Sequence, residues 1–276
     1  MKLLALIRLT LRELAAKATI IILAAISTIV LLGLAAAFST NVTPDGMMLQ
    51  LFGQQASPVM PEDQLITAIR SMQAGLAGGL FTGIILFGIF ATAGVIPDAL
   101  EKGTVDLYLS KPIARWELLL GKYLGALVAI FVNVLYFMVG AWLIFGLKCH
   151  LWDFQILLAT LTITFMFACL YAIVAFLAVL TRNTAVSIIL VYLYLFVVGP
   201  LLHNREATLY LISENTVYRS IVDGFYYVFP QLDAMRASGA KQLLAQEMDW
   251  KPFVQSLLSA SVFFFGGAVM LKRRDF

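Results

Sequence analysis

Two small clusters carry residue types that ligate soft or borderline metals: Cys149, His150 and Asp153, and then His203 and Glu206. His150 and Asp153, and likewise His203 and Glu206, lie three apart, a spacing one helical turn aligns. With only two histidines in the chain, placed in separate connections, interfacial polar groups are the competing reading. Gly121-Lys122 has Trp116 five positions before the glycine and Tyr123 after the lysine. A phosphate loop needs glycine and a hydroxyl there, so the chain carries no such loop. Two cysteines cannot form a disulfide framework. The segment with the densest chemistry is 97–122. Glu101, Asp106, Lys111, Arg115 and Glu117 alternate there with Leu100, Leu107, Leu109, Ile113 and Trp116, broken at Gly103 and Pro112. That pattern predicts short amphipathic helices after Pro97 ends the preceding helix. Paired charges on such elements suit docking to a partner more than covalent chemistry.

The elements that must position these residues are membrane spans. The chain has 276 residues, 61% of them hydrophobic and 13% charged, with a mean hydropathy of +0.91, whereas soluble domains carry about 25% charged residues. A single water-soluble fold is excluded. Six stretches, 18–38, 74–97, 124–147, 156–180, 184–202 and 253–271, contain no Asp, Glu, Lys, Arg or His. Each is long enough to cross a hydrocarbon core of about 30 Å as a helix, and helices satisfy their own backbone in lipid. The expected class is all-α, a polytopic membrane protein with six transmembrane helices. A net charge of +3 gives no reason to expect nucleic acid as a partner.

Positive residues are retained on the cytoplasmic side. With both termini inside, the inner segments hold twelve of the nineteen Lys and Arg, among them Arg8, Arg12, Lys102, Lys111, Arg182 and Lys272. The expected location is the inner cell membrane with cytoplasmic termini. A cleaved signal competes at the start, but the 21-residue apolar run exceeds the 7–15 residues of a signal core. Residues 1–17 place Leu3, Leu4, Ile7, Leu11 and Leu14 at helical spacing, with Glu13 four before Lys17, predicting an amphipathic interfacial helix. Gly75, Gly79 and Gly83 form a small-residue ridge for helix packing, within the bundle or against a second copy. Asn133, the most polar residue of any span, is expected to hydrogen-bond between helices. The outer loop at 203–252 contains Tyr218, Phe225, Tyr226, Tyr227 and Phe229 before Pro230, which predicts an amphipathic or re-entrant piece at the outer leaflet.

Across this layout the chain resembles the permease subunits of the ABC-2 class of ATP-binding-cassette transporters. The residues carrying the resemblance are Glu101, Gly103, Thr104, Asp106, Leu107, Leu109, Pro112, Arg115, Gly121 and Lys122, together with the Lys272-Arg273-Arg274-Asp275-Phe276 ending. Within that class, the spacing and Tyr226-Tyr227-Val228-Phe229-Pro230 look most like the permeases of multicopper-enzyme maturation, including nitrous-oxide reductase assembly. The resemblance implies a type V exporter-like architecture: two permease chains, a homodimer, with two copies of a separate ATPase. Segment 98–122 would be the coupling loop, with Glu101, Gly103, Thr104, Asp106, Pro112 and Arg115 at the ATPase. The chain itself would bind no cofactor and catalyse no reaction; ATP and Mg would sit on the ATPase. A periplasmic partner could meet the outer loop. Three other readings compete. An ion-coupled carrier would need ionisable groups inside the spans, which lack them. A membrane-embedded enzyme or metal-handling protein would use Cys149, His150 and His203, and a non-transporting anchor would bind the ATPase without moving cargo.

Overall fold

The computed structural model describes residues 2–43, 46–51, 54–55, 61–101, 103–104 and 113–273. The first helix, α1 (Lys2–Ala16), is amphipathic and ends at Ala18, whose positive φ of 57° turns the chain into α2 (Thr19–Ala37). A small antiparallel sheet follows: β1 (Phe38–Thr43), β2 (Gly46–Leu51) and β3 (Gln54–Gln55), with Phe38 opposite Leu51 and Gln50 opposite Gln55. This sheet was not foreseen from the sequence. The helix α3 (Glu62–Gly83) runs on through a π-helical turn (Ile84–Gly88) and Ile89–Thr92. After a bend at Ala93-Gly94 comes the five-residue α4 (Val95–Ala99). Pro97 therefore lies inside the first turn of a new helix, where its missing N–H is harmless, and does not itself end the span.

Four long or paired elements complete the chain. They are α5 (Arg115–Cys149), α6 (Gln155–Thr181), α7 (Thr184–Leu193, a π-helical turn at Tyr194–Val198, then Gly199–His203) and α10 (Lys251–Arg273). Between α7 and α10 lie α8 (Thr216–Val228) and α9 (Leu232–Leu243). Six of these helical stretches are long and apolar enough to cross a membrane. The chain is a multi-pass helical membrane protein. Its spans match the charge-free runs closely except at two starts. The second helix begins twelve residues before position 74, at Glu62, and the third at Arg115, so that Arg115–Lys122 is helix rather than loop.

Local sequence explains the boundaries. Asn183 and Asn215 cap α7 and α8 with side-chain oxygens that accept backbone N–H groups at 2.9 Å. The carboxylate of Glu117 accepts the Ala114 N–H at 2.9 Å and opens α5. His150 and Arg182 take positive φ to end α5 and α6. The helix α6 is the centre of the bundle: Phe167, Leu170, Tyr171, Val174, Ala178 and Val179 are inaccessible, and α10, α5, α7 and α9 pack around it. The Tyr171 hydroxyl, buried here, donates to the Thr92 carbonyl at 2.9 Å, released where α3 bends.

Candidate functional site

At the end of the bundle that carries both termini, α1 lies across the start of α5 in a close helix crossing. A side-chain carbon at Gly121 would come within 2.5 Å of the Leu6 Cβ, and one at Gly125 within 2.5 Å of the Thr10 Cβ. These two glycines, four apart, form the small-residue ridge on which α1 seats. The ridge at Gly75, Gly79 and Gly83 behaves differently. Among the described residues nothing lies within 4 Å of a carbon built at any of the three, so no described helix uses them for close approach. Gly78, beside Arg236, and Gly88, beside Ile130 and Phe167, take the close contacts of that helix.

Seating α1 brings its charged end to α4 and α5. Lys122 Nζ donates to Glu13 Oε2 at 2.5 Å, with the lysine side chain 2% exposed and the glutamate 35%. Lys17 pairs with Asp98 on α4. Glu13 and Lys17 thus reach across to other helices instead of pairing with each other along α1. A cavity of about 290 Å³ opens here, lined by Glu13, Lys17, Asp98, Glu101, Thr104 and Lys122. Its carboxylates outnumber its ammonium groups, and Glu101 is exposed. Gly103 has a φ of +86° with open space around it, a conformation in which other residues are strained. Asp106 and Pro112 lie outside the described residues. Arg115 is placed apart from this cavity: its Nη1 donates to the Leu271 carbonyl at 3.3 Å, beside Trp116 and Lys272 near the end of α10. Within the bundle, Ser27 donates to Asn133 Oδ1 at 3.1 Å, joining α2 to α5.

The opposite end of the molecule holds the other singled-out residues. Cys149 is buried. Asp153 accepts from Arg70 Nε at 2.9 Å and from the Gln155 N–H at 3.0 Å. His150 and His203 are exposed. Among the described residues no group of three His, Cys, Asp or Glu side chains is placed to hold a metal ion. The loop before α8 is tied to it by Asp223 Oδ1, which accepts from Tyr210 Oη and Arg205 Nε, both at 2.7 Å. Those two hydrogen bonds hold the Asp223 carboxyl below its ordinary range. The Arg205 guanidinium also stacks 3.8 Å above the Tyr226 ring.

Compared with known families, residues 47–276 match one described as ABC-2 family transporter protein. The chain belongs to the ABC-2 transporter family. No curated protein matches it. An ABC-2 permease is the membrane component of an ABC transporter, a transport component, and implies a partner ATPase subunit. The match takes in five of the six spans and the whole junction at α4 and α5, while α1 and α2 precede it. At the terminal end, the Lys122–Glu13 and Lys17–Asp98 pairs join α1 to α5 and to α4.

Sequence reasoning missed the Glu13–Lys122 pair, whose partners are 109 residues apart. One signal was available. Gly121 and Gly125 repeat the four-residue spacing of the Gly75 ridge, and they sit beside a lysine that an apolar span would not otherwise keep.

Proposed function

We propose that this chain is the permease of an ATP-driven exporter in the inner membrane. Two copies assemble with two separate ATPase subunits, and both termini are cytoplasmic. The observation that carries the reading is the charged junction of α1, α4 and α5. Ion pairs Lys122–Glu13 and Lys17–Asp98 bracket the chain as it leaves α4 toward residues 98–117. A push on that segment is therefore delivered to three helices at once: the Lys122–Glu13 pair, with its lysine buried, resists separation of α1 from α5, and α4 is held to both by Val95, packed with Leu14 and Ala129, and by the exposed Lys17–Asp98 pair. Twelve of the nineteen Lys and Arg fall in the segments this orientation puts inside. Glu101, Gly103, Thr104, Asp106 and Pro112 seat in the ATPase. Arg115, held at the end of α10, braces the entry to α5 and transmits the motion to the last span.

Co-expression with the ATPase tests this. The permease retains the ATPase on affinity purification and raises its ATP turnover; Glu101→Arg loses both while inserting normally. Retention and stimulation unchanged in Glu101→Arg would reject the coupling assignment.

A further inference from the structure

The short helix α9 is seated against α3 and α6 rather than lying free in the loop. A side-chain carbon at Gly239 would meet Thr162 Cγ2 at 3.0 Å, and Thr162 Oγ1 donates to Gln242 Oε1 at 3.3 Å. This places Arg236 beside Gly78, one turn inside the charge-free run of α3, with its Nη2 3.1 Å from where a Gly78 Cβ would be. Arg236 makes no ion pair and no side-chain hydrogen bond with another described residue. A cavity of about 310 Å³ lies beside it, walled by Gly75, Gly78, Phe81, Thr162 and Met166, and Arg236 is its one charged lining residue. Arg236 also lines the neighbouring cavity of about 220 Å³, together with Asp233, one turn earlier on α9; Asp233 does not line the larger one.

Arg236 is exposed, so its guanidinium is open to a ligand, and an arginine level with an apolar run is kept where it has a function. A guanidinium recognises carboxylate or phosphate by two parallel hydrogen bonds. The remaining wall accepts hydrocarbon. We propose that this cavity binds a single-chain anionic amphiphile as cargo, its carboxylate or phosphate head on Arg236 and its chain along Gly75, Phe81 and Met166. The volume, at the lower bound of ligand pockets of about 300–1,000 Å³, suits one chain rather than a two-chain lipid. The assignment of the ligand as cargo rests on the reading of this chain as an exporter permease; the binding site itself does not.

The test is equilibrium binding to the full-length permease alone, in phosphatidylcholine nanodiscs, without ATPase. Dodecyl phosphate is the probe, with dodecanol and inorganic phosphate as its two halves. Dodecyl phosphate binds saturably, and the halves compete poorly. Arg236→Gln weakens binding by about tenfold to a hundredfold, the range expected on losing a charged hydrogen-bonded contact, and Arg236→Lys restores part of it. Gly75→Leu, which fills the apolar wall where nothing lies within 4 Å, abolishes binding of the chain. Equal affinity for dodecanol, or no change in Arg236→Gln, would overturn the site. Competition by phosphatidylglycerol as strong as by dodecyl phosphate would overturn the single-chain occupant in favour of a bilayer lipid. Because no ATPase is present, failure of the coupling scheme leaves these results unaffected.

Discussion

Glu13 and Lys122 are unequal partners, and that inequality predicts unequal consequences of removing either one. Removing one member of a fully buried ion pair costs about 3–5 kcal/mol, mostly because the survivor is left charged without a partner. Lys122 is 2% exposed, so Glu13→Ala removes from a buried ammonium group the carboxylate to which it donates, and falls near the lower part of that range, about 3 kcal/mol. Glu13 is 35% exposed. Lys122→Met therefore leaves a carboxylate that water can solvate, and the methionine still fills the lysine's apolar path, so the loss is about 1 kcal/mol, as for partly exposed pairs. At about 2–4 °C per kcal/mol for a chain of this size, the apparent Tm in detergent falls by about 6–12 °C in Glu13→Ala and about 2–4 °C in Lys122→Met. The double variant resembles Lys122→Met, because the buried ammonium group is gone. Equal shifts in the two single variants, or a double variant equal to their sum, would refute the buried pair.

Three further outcomes follow from the geometry. Gly121→Val or Gly125→Val drives a side chain into Leu6 or Thr10 at distances no packing tolerates; it costs about 1–3 kcal/mol and raises protease sensitivity in α1 while leaving the spans inserted. Asn133→Leu removes the acceptor for Ser27, and a double-mutant cycle with Ser27→Ala gives a coupling of about 0.6 kcal/mol, as for other interhelical bonds in membranes. Asp223 titrates below its unfolded value, so its hydrogen bonds contribute full stability above pH of about 3.9 and lose it as pH falls through the lowered folded value. A Tm-against-pH profile from pH 7 to 3 accordingly flattens in Asp223→Asn.

The spans were legible because hydrocarbon tolerates so little charge. Stretches such as 156–180, with no Asp, Glu, Lys, Arg or His, admit one interpretation, and α6 occupies Gln155–Thr181. Where the helices run on beyond the hydrocarbon, that signal vanishes. The Glu62 start of α3 and the Arg115 start of α5 lie among charged residues that read equally well as loop. Helical glycine spacing proved ambiguous in the same way: Gly121 and Gly125 seat α1, while Gly75, Gly79 and Gly83 face open space. Spacing shows where a close approach is permitted, and only a partner helix decides whether it occurs. The partner of Glu13 was not legible because another lysine, Lys17, stood four residues away along the chain. In the fold Lys17 meets Asp98, and Glu13 meets Lys122, which is buried. The strand pairing of Phe38–Thr43 with Gly46–Leu51 had no alternating pattern strong enough to announce it.

The most direct test of the central claim is a site-specific crosslink in membranes from cells that co-express the ATPase. Cys149 and Cys169 are buried, so a new cysteine at Thr104 is the reactive one, and Gly224, with open space around it, supplies a control at the opposite end. Thr104→Cys forms a permease–ATPase adduct whose yield changes when the ATPase is trapped with nucleotide, and Gly224→Cys forms none. An adduct from Gly224→Cys, or none from Thr104→Cys while the ATPase is present and active, would contradict the account.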